Sequence, residues 1–232
     1  MEFQKPLHRG ILIKRYKRFL ADIALENGDI VTVHCPNSGS MKGLVDPGNP
    51  VALTHHDDPK RKLAYTLQAV YADHTWVGVN TSLPNRLVAE AIQQQHIPEL
   101  SAYTHIKREV KYGQNSRIDL LLTAPNHPNC YVEIKNVTLK EKDMALFPDA
   151  VTTRGQKHLN ELVTMVSQGH RAVMFYLVQR ADCQQAGVAI EIDPTYNMLL
   201  KRASQQGVDV LCYGCHVTHE TVTLTKKLPF II

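Results

Sequence analysis

The chain has 232 residues, of which 44% are hydrophobic and 21% charged, so it is long enough and apolar enough to bury a sizeable core. Its net charge of +4 is only mildly basic, and the absence of any apolar run of about 18 residues argues against a membrane-spanning helix. The N-terminal segment lacks the long apolar centre of a secretory signal, and the five cysteines are an odd number. We therefore expect a cytoplasmic protein with reduced thiols.

Residues 1–82 contain short segments in which apolar and polar residues alternate. LADIALENG, DIVTVHC, PVALTHH, YTLQAVYAD and TWVGVNT are separated by turn-forming combinations such as Asn-Gly and Asp-Pro-Gly-Asn. Strands of this length and spacing predict a small antiparallel barrel or sandwich.

Residues 83–232 show a different order of elements. PNRLVAEAIQQQH predicts a helix, and THIKREVKYG, RIDLLLTA and CYVEIKN predict three strands. The connectors Gly113-Gln114-Asn115 and PNHPN are short, which favours antiparallel hairpins. The remaining predicted elements are a long helix in TTRGQKHLNELVTMVSQG that ends at Gly169, a buried strand in RAVMFYLVQ, a strand in AIEI, a helix in PTYNMLLKRASQQG and a strand in VDVLCYGC. The chain is thus α/β (α+β), with a helix–three strands–helix–strand core.

The strand CYVEIKN places Tyr131, Glu133 and Lys135 on the face opposite to its apolar residues. Asp119 lies in the preceding strand, and neighbouring strands are about 4.8 Å apart, so the two carboxylates can meet. Mg²⁺ (or Mn²⁺) would relieve their repulsion, because carboxylate oxygens suit a hard cation that substrate phosphates complete. Lys135 could then orient a water molecule or offset phosphate charge. The alternative interpretation of this charged face is an ordinary solvated surface.

Asp119 followed after thirteen residues by Glu133-Ile134-Lys135, within that element order, resembles the PD-(D/E)XK nuclease superfamily. The segments HCPNSGSM, VKYGQNSRIDLLL, CYVEIKNVTL and FPDAVTTRGQKHLNEL further resemble the sugar fermentation stimulation protein A family, over essentially the whole chain. The superfamily resemblance implies that Glu90, on the first core helix, joins Asp119 and Glu133 in the metal site. It also implies that Gln156 supports that site from the next helix.

The family resemblance implies an OB-like β-barrel over residues 1–82, followed by a restriction-endonuclease-like αβββαβ domain over residues 83–232. It also implies DNA binding without marked sequence preference and a regulatory role in sugar (maltose) metabolism. Basic residues cluster in two places, and we expect them to contact phosphates around the barrel: Lys14, Arg15, Lys17 and Arg18, and Lys60, Arg61 and Lys62. Asn37 and Ser38, in the turn HCPNSGSM, are a further candidate phosphate contact.

Three hypotheses follow for function. The first is a non-specific DNA-binding protein on a nuclease scaffold, and the second is an active Mg²⁺-dependent nuclease that acts on DNA or RNA. The third is a metal or redox protein that uses Cys212 and Cys215 of CYGCHVTH. Strand alternation puts these two cysteines on opposite faces, which argues against the third hypothesis.

Overall fold

The computed structural model describes residue 3, residues 6–113 and residues 115–232. Residues 1, 2, 4 and 5, at the start of the predicted barrel region, lie outside the described residues, as does Gln114 of the predicted turn Gly113-Gln114-Asn115. In the part of the chain that is described, no helix is long and apolar enough to cross a membrane.

A six-stranded sheet forms the N-terminal part of the molecule. Its strands are β1 (His8–Tyr16), β2 (Leu20–Leu25), β3 (Ile30–His34), β4 (Pro50–His55), β5 (Tyr65–Ala72) and β6 (Thr75–Gly78). Their order is β3-β2-β1-β4-β5-β6, and a parallel pairing of His34 with Thr66 closes the first five strands into a barrel. Inward-pointing side chains such as Leu12 and Ile23 fill its interior. The predicted OB-like barrel is confirmed, although β1 was not predicted as a strand.

The rest of the chain contains three α-helices and ten strands among the described residues. These are α1 (Pro84–Gln93), β7 (His105–Tyr112), β8 (Ser116–Thr123), β9 (Cys130–Val137), β10 (Leu139–Glu141), β11 (Met144–Phe147), α2 (Thr153–Ser167), β12 (Arg171–Val178), β13 (Gln185–Val188), α3 (Pro194–Gln205), β14 (Asp209–Val217), β15 (Val222–Lys227) and β16 (Phe230–Ile231). The main sheet has the order β15-β14-β12-β9-β8-β7. Strands β7, β8 and β9 pair antiparallel, whereas β9, β12 and β14 are parallel. The predicted helix–three strands–helix–strand core is confirmed.

Helices cover both faces of this sheet, so its central strands are apolar on both sides. One core joins α1 to Val132, Ile134 and Phe175, and the other joins α2 and α3 to residues such as Tyr176. Cys215 belongs to the first core and Cys212 to the second, so the two cysteines face opposite sides of the sheet as expected.

A smaller sheet of order β10-β11-β13-β16 lies beside the main one and was not predicted. Its strand β13 corrects the prediction of a strand in AIEI, which is residues 189–192. The strand ends at Val188, which pairs with Phe147, and the N–H groups of Ile192 and Asp193 both donate to the Ala189 carbonyl, which closes a turn. The turn leads into α3, whose first turn is capped by the Asp193 carboxylate.

Candidate metal and nucleic-acid site

A cleft of about 510 Å³ opens between the barrel and the main sheet. Its lining on the barrel side comes from residues 37–39, which follow β3, and on the sheet side from the ends of β8 and β9. Asp119, Glu133, Lys135 and His158 all line it. The structure therefore brings the two predicted carboxylates and the predicted lysine to one concave surface.

The carboxylates meet because the β8–β9 ladder stops beside them. Leu120 pairs with Val132, and Asp119 and Glu133 are the next residues in that register. Beyond this pair the Asp119 carboxylate replaces a backbone acceptor, since its Oδ2 accepts a 2.7 Å hydrogen bond from the Ile134 N–H. The antiparallel register thus supplies the proximity that the sequence could only suggest.

The pKa of Asp119 is unusually high for an aspartate. Burial and the negative charge of Glu133 raise its pKa to about 6, against the opposing effects of the Ile134 N–H and the Lys135 ammonium. Because the ionised form of Asp119 is destabilised in this way, a cation bound beside it would stabilise that form.

Glu133 is 3% exposed, so the interpretation of its strand face as a solvated surface is wrong. Its Oε1 accepts a hydrogen bond from Lys135 Nζ at 2.7 Å and also contacts His158 Nδ1. Burial acts to raise the pKa of Glu133, but Lys135 and His158 outweigh it and hold that pKa below its usual value. Glu133 is therefore ionised inside the protein.

The second oxygen of Glu133 has no protein partner. Oε2 is buried, yet across the described residues nothing donates a hydrogen bond to it. A buried carboxylate oxygen without a donor or cation is costly, so this oxygen is placed to accept a hydrogen bond or to bind a cation.

His158 on α2 contacts Glu133, and Arg154, one turn earlier on the same helix, contacts His158. Arg154 Nε lies 3.3 Å from His158 Nε2 and can only donate, so Nε2 accepts and the ring proton sits on Nδ1. That proton points at Glu133 Oε1. Lys135 Nζ lies 3.3 Å from His158 Nδ1 because both nitrogens donate to the same acceptor, Glu133 Oε1.

The structure does not bring Glu90 to the carboxylate pair, which corrects its expected place. Glu90 pairs with Arg86 at 2.7 Å on the surface of α1. The α1 residue that reaches Asp119 is Asn85, whose Nδ2 donates to Asp119 Oδ1 at 2.8 Å. Residues five apart on a helix differ by about 140° in direction, so Glu90 and Asn85 cannot face the same side.

Gln156 is likewise engaged elsewhere. Its Nε2 donates to both oxygens of Asp193, at 3.0 and 3.1 Å, and so ties the start of α2 to the start of α3. The α2 residue that contacts the carboxylate site is His158, two positions further along the chain. The expected polar support from this helix exists, but a different residue supplies it.

An acid that the sequence reading missed is Glu109 on β7. It lies opposite Asp119 in the β7–β8 register, where Arg108 pairs with Leu120 and Val110 with Ile118 but this one pairing is missing, and its φ is +52°. Its Oε1 accepts a 3.3 Å hydrogen bond from the same Asn85 nitrogen that serves Asp119. A positive φ is uncommon for a residue other than glycine, and no sequence pattern marked this one.

The two predicted basic clusters lie at one end of the barrel. The β1–β2 turn carries Lys17 and Arg18, and it is followed by Leu20, which pairs with His34. His34 pairs with Thr66, next to the β4–β5 loop that carries Lys60, Arg61 and Lys62. All five of these side chains are exposed, and so is Lys14, although it is 3.4 Å from Asp22. In OB barrels the corresponding loops flank the nucleic-acid face.

Arg15, in contrast, is structural, which corrects its expected phosphate contact. Its guanidinium donates to the backbone carbonyls of Asn37, Gly39 and Ser40 at 2.8, 2.9 and 3.3 Å. Asn37 is also used internally, since its side chain donates to the Val79 carbonyl and accepts from the Gly39 N–H. Ser38, between them, is exposed at the rim of the cleft.

The loop that Arg15 holds also joins the barrel to the second part of the chain. Ser40 Oγ donates to the Asp149 carbonyl at 2.9 Å, and the Met41 N–H donates to Asp149 Oδ2 at 2.9 Å. This contact positions the barrel's edge against the carboxylate pair. Residues 37–39 of this loop and the carboxylate pair line the same cleft.

A closed five-stranded barrel beside a mixed sheet that carries an acid pair and a lysine defines a class: an OB barrel followed by a restriction-endonuclease-like domain. Family models place the chain more narrowly. The SfsA N-terminal OB domain matches residues 13–79, and the Sugar fermentation stimulation protein RE domain matches residues 82–221. The chain belongs to the sugar fermentation stimulation protein family, as its resemblance predicted.

Relatives of known name support this membership along the whole chain. A sugar fermentation stimulation protein homolog of Geotalea daltonii is 56% identical and covers 100% of both chains. One of Geobacter sulfurreducens is 54% identical and covers 100% of this chain and 99% of its own. Among solved structures, SfsA of Pyrococcus furiosus in complex with Ca²⁺ is 26% identical, with a TM-score of 0.91 over 100% of this chain and 98% of that one.

Proposed function

We propose that the chain is a nucleic-acid phosphodiesterase that requires a divalent cation held by Asp119 and Glu133. The observation that carries the proposal is the buried Oε2 of Glu133, which lacks a partner in the described protein although it lies beside a second carboxylate. Burying a carboxylate oxygen without a partner costs stability, and a bound cation would offset that cost.

The donor set fits Mg²⁺ or Mn²⁺. Asp119 and Glu133 offer carboxylate oxygens from two residues to one cleft, and within the described ranges no group of three or more His, Cys, Asp or Glu side chains is placed to hold a metal ion. Mg²⁺ is commonly bound by one or two carboxylates, with water and substrate phosphate completing its shell. The Ca²⁺ in the Pyrococcus furiosus relative supports a hard-cation site in this fold.

A cation bound there would supply Lewis-acid charge to the scissile phosphate and lower the pKa of adjacent water. The protein's own residues orient the reactants. The Ile134 N–H and Asn85 fix the two oxygens of Asp119, and His158 and Lys135 fix Oε1 of Glu133. The Lys135 ammonium, 11% exposed at the cleft, can shift from Glu133 to a phosphate oxygen or to the attacking water.

The barrel of residues 1–82 would grip the strand, and the domain of residues 83–232 would cut it. The exposed cations Lys14, Lys17, Arg18 and Lys60–Lys62 would contact phosphates, which give affinity without reading bases. DNA bound without sequence preference, in the cytoplasm, is the proposed substrate.

DNA binding without turnover is a second candidate function. It is favoured by one observation: the exposed cations lie at the end of the barrel and are separate in sequence and fold from the carboxylate pair. Such a grip could serve a regulatory role in sugar metabolism.

The deciding experiment is cleavage of labelled single- and double-stranded DNA and RNA with Mg²⁺, Mn²⁺ or EDTA. We expect metal-dependent products from the wild type and none from Glu133→Gln. Glu90→Gln is the matched control, because it also neutralises one glutamate on a neighbouring element, and it should cut like the wild type. Binding without products in every metal would favour the second candidate.

A further inference from the structure

A second, basic pocket lies directly beside the candidate catalytic cleft. It has a volume of about 330 Å³ and is lined by Asn115, Ser116, Arg117, Arg154, Lys157 and His158. We call it the lateral pocket. Arg154 and His158 also line the catalytic cleft, so these two side chains form the wall between the two spaces. No carboxylate is among the described residues that line the lateral pocket.

The cationic side chains around the lateral pocket lie close to other positive charges, and this arrangement is electrostatically unfavourable. Arg117 on β8 pairs directly across the ladder from Lys111 on β7, and like charges in that position destabilise a sheet. Arg154 lies in the first turn of α2, where the helix dipole favours acids and where there are none, and Lys157 follows three residues later on the same side of the helix.

Local ion pairs relieve this repulsion only in part. Lys157 Nζ is 3.6 Å from Glu161 Oε1, which lies one turn further along α2. Among the described residues, Arg117 donates to the Glu109 backbone carbonyl at a long 3.4 Å and has no ion pair. Arg117 and Arg154 are exposed and point to a space that also offers the Ser116 hydroxyl and the Asn115 amide. Such a set of donors matches the oxygens of a phosphate.

The basic lining continues beyond the lateral pocket. An adjoining depression of about 380 Å³ shares Asn115, Ser116 and Arg117 with it and adds Lys111. Phosphates along an extended strand could therefore lie in the catalytic cleft, in the lateral pocket and beside Lys111 in turn. On the barrel side the cleft is lined by residues 37–39, and Arg15 donates to the backbone carbonyls of two of them.

We propose that the lateral pocket is a phosphate-binding subsite, which holds a nucleic-acid phosphate next to the one in the catalytic cleft. The inference rests on the proposed function for its ligand, a polynucleotide, but concerns binding alone. Two sources share this chemistry: a terminal monophosphate, which would direct the protein to strand ends, and an internal phosphodiester.

The test is fluorescence anisotropy in EDTA, so that binding is measured without cleavage. The probes are one single-stranded DNA sequence with a 5′-phosphate, with a 3′-phosphate and with hydroxyls at both ends. Arg117→Ala is the first variant and Lys157→Ala the second, since the two residues are on different elements. Lys201→Ala, which removes an exposed lysine from α3, is the charge-matched control.

We expect Arg117→Ala and Lys157→Ala each to weaken binding about tenfold, the usual effect of one charge-assisted hydrogen bond. The slope of log affinity against log salt should become shallower by about 0.7, the value for one phosphate on a single strand. Loss confined to one phosphorylated probe would identify a terminal phosphate, and equal loss on all three an internal one.

Binding of all three probes by both variants at the level of Lys201→Ala would overturn the subsite. The two proposals fail separately. Reduced binding by the variants, with no cleavage by the wild type in any metal, would leave the subsite standing and refute the nuclease. Normal binding by the variants, with metal-dependent cleavage by the wild type, would do the reverse.

Discussion

The ionisation of Asp119 makes a quantitative prediction about metal binding. Because burial and Glu133 raise its pKa to about 6, the carboxyl is protonated in the metal-free protein at mildly acidic pH. A metal ligand must be deprotonated, so a proton and the cation compete for Asp119. Lowering the pH is therefore a perturbation that acts on this one ligand, while Glu133, whose pKa is held low, stays ionised.

The size of the effect follows from the pKa. With a value of about 6, roughly one-tenth of the Asp119 carboxyls are ionised at pH 5 and roughly nine-tenths at pH 7. The apparent association constant for Mn²⁺ should thus rise about tenfold over that range and level off above it. Stability of the metal-free protein follows the opposite sign: the folded state holds this proton more tightly than the unfolded chain, so the contribution of Asp119 to the free energy of unfolding falls as pH rises from about 4 to about 6.

The assay is isothermal titration calorimetry with Mn²⁺ at pH 5, 6 and 7, in buffers of different ionisation enthalpy so that proton release is counted. We expect close to one proton released at pH 5 and almost none at pH 7. Asp119→Asn should bind more weakly and lose the pH dependence. A wild-type affinity that is constant from pH 5 to pH 7 would refute the reasoning about Asp119.

Three further predictions concern the contacts that hold the cleft together. Gly39→Ala should lower the free energy of unfolding by about 1–3 kcal/mol in urea, because the new Cβ would lie 2.6 Å from Asp149 Oδ2, and an unchanged midpoint would contradict this close approach. Arg15→Ala should cost a similar amount by leaving loop carbonyls without donors, whereas Lys17→Ala should weaken DNA binding alone; the reverse pattern would show that the two roles are misassigned. Arg180→Ala should be more damaging, by about 3–5 kcal/mol, because this 2%-exposed arginine pairs with two carboxylates, and a loss below 1 kcal/mol in thermal unfolding would count against it.

The sequence predicted the elements of the site better than their exact contacts. Alternation placed Glu133 and Lys135 on one strand face, and short hairpins implied that Asp119 would lie on the neighbouring strand. Those are local periodicities, which the fold preserves. The ladder register that brings Asp119 beside Glu133 depends on where pairing stops, and only the structure shows that it ends at Leu120 and Val132.

Helix residues were harder to assign, because the face that meets the sheet depends on packing. Helical spacing alone does not decide between Glu90 and Asn85, or between Gln156 and His158. In both cases the more suggestive side chain proved to be engaged elsewhere. Glu109 could not be found from the sequence at all, since its positive φ departs from the regular strand conformation on which alternation depends, and no residue pattern marks that departure.

The basic residues show the same limit. Charge clusters near positions 14–18 and 60–62 were visible as runs, and the fold places both at one end of the barrel. The cations of the lateral pocket come from β8 and α2, about forty residues apart, so no run of basic residues in the sequence predicts this pocket. Within the first run, Arg15 differs from its neighbours because its side chain turns toward the loop of residues 37–40.

We propose that Asp119, Glu133 and Lys135 form a working hydrolytic site. The most direct test is a single-turnover assay on a labelled DNA strand, comparing wild type and Lys135→Ala with Mn²⁺ and with EDTA. We expect Mn²⁺-dependent products from the wild type. We expect Lys135→Ala to form no products, although it should still bind DNA and Mn²⁺. Equal cleavage by the two proteins, or cleavage that continues in EDTA, would contradict it.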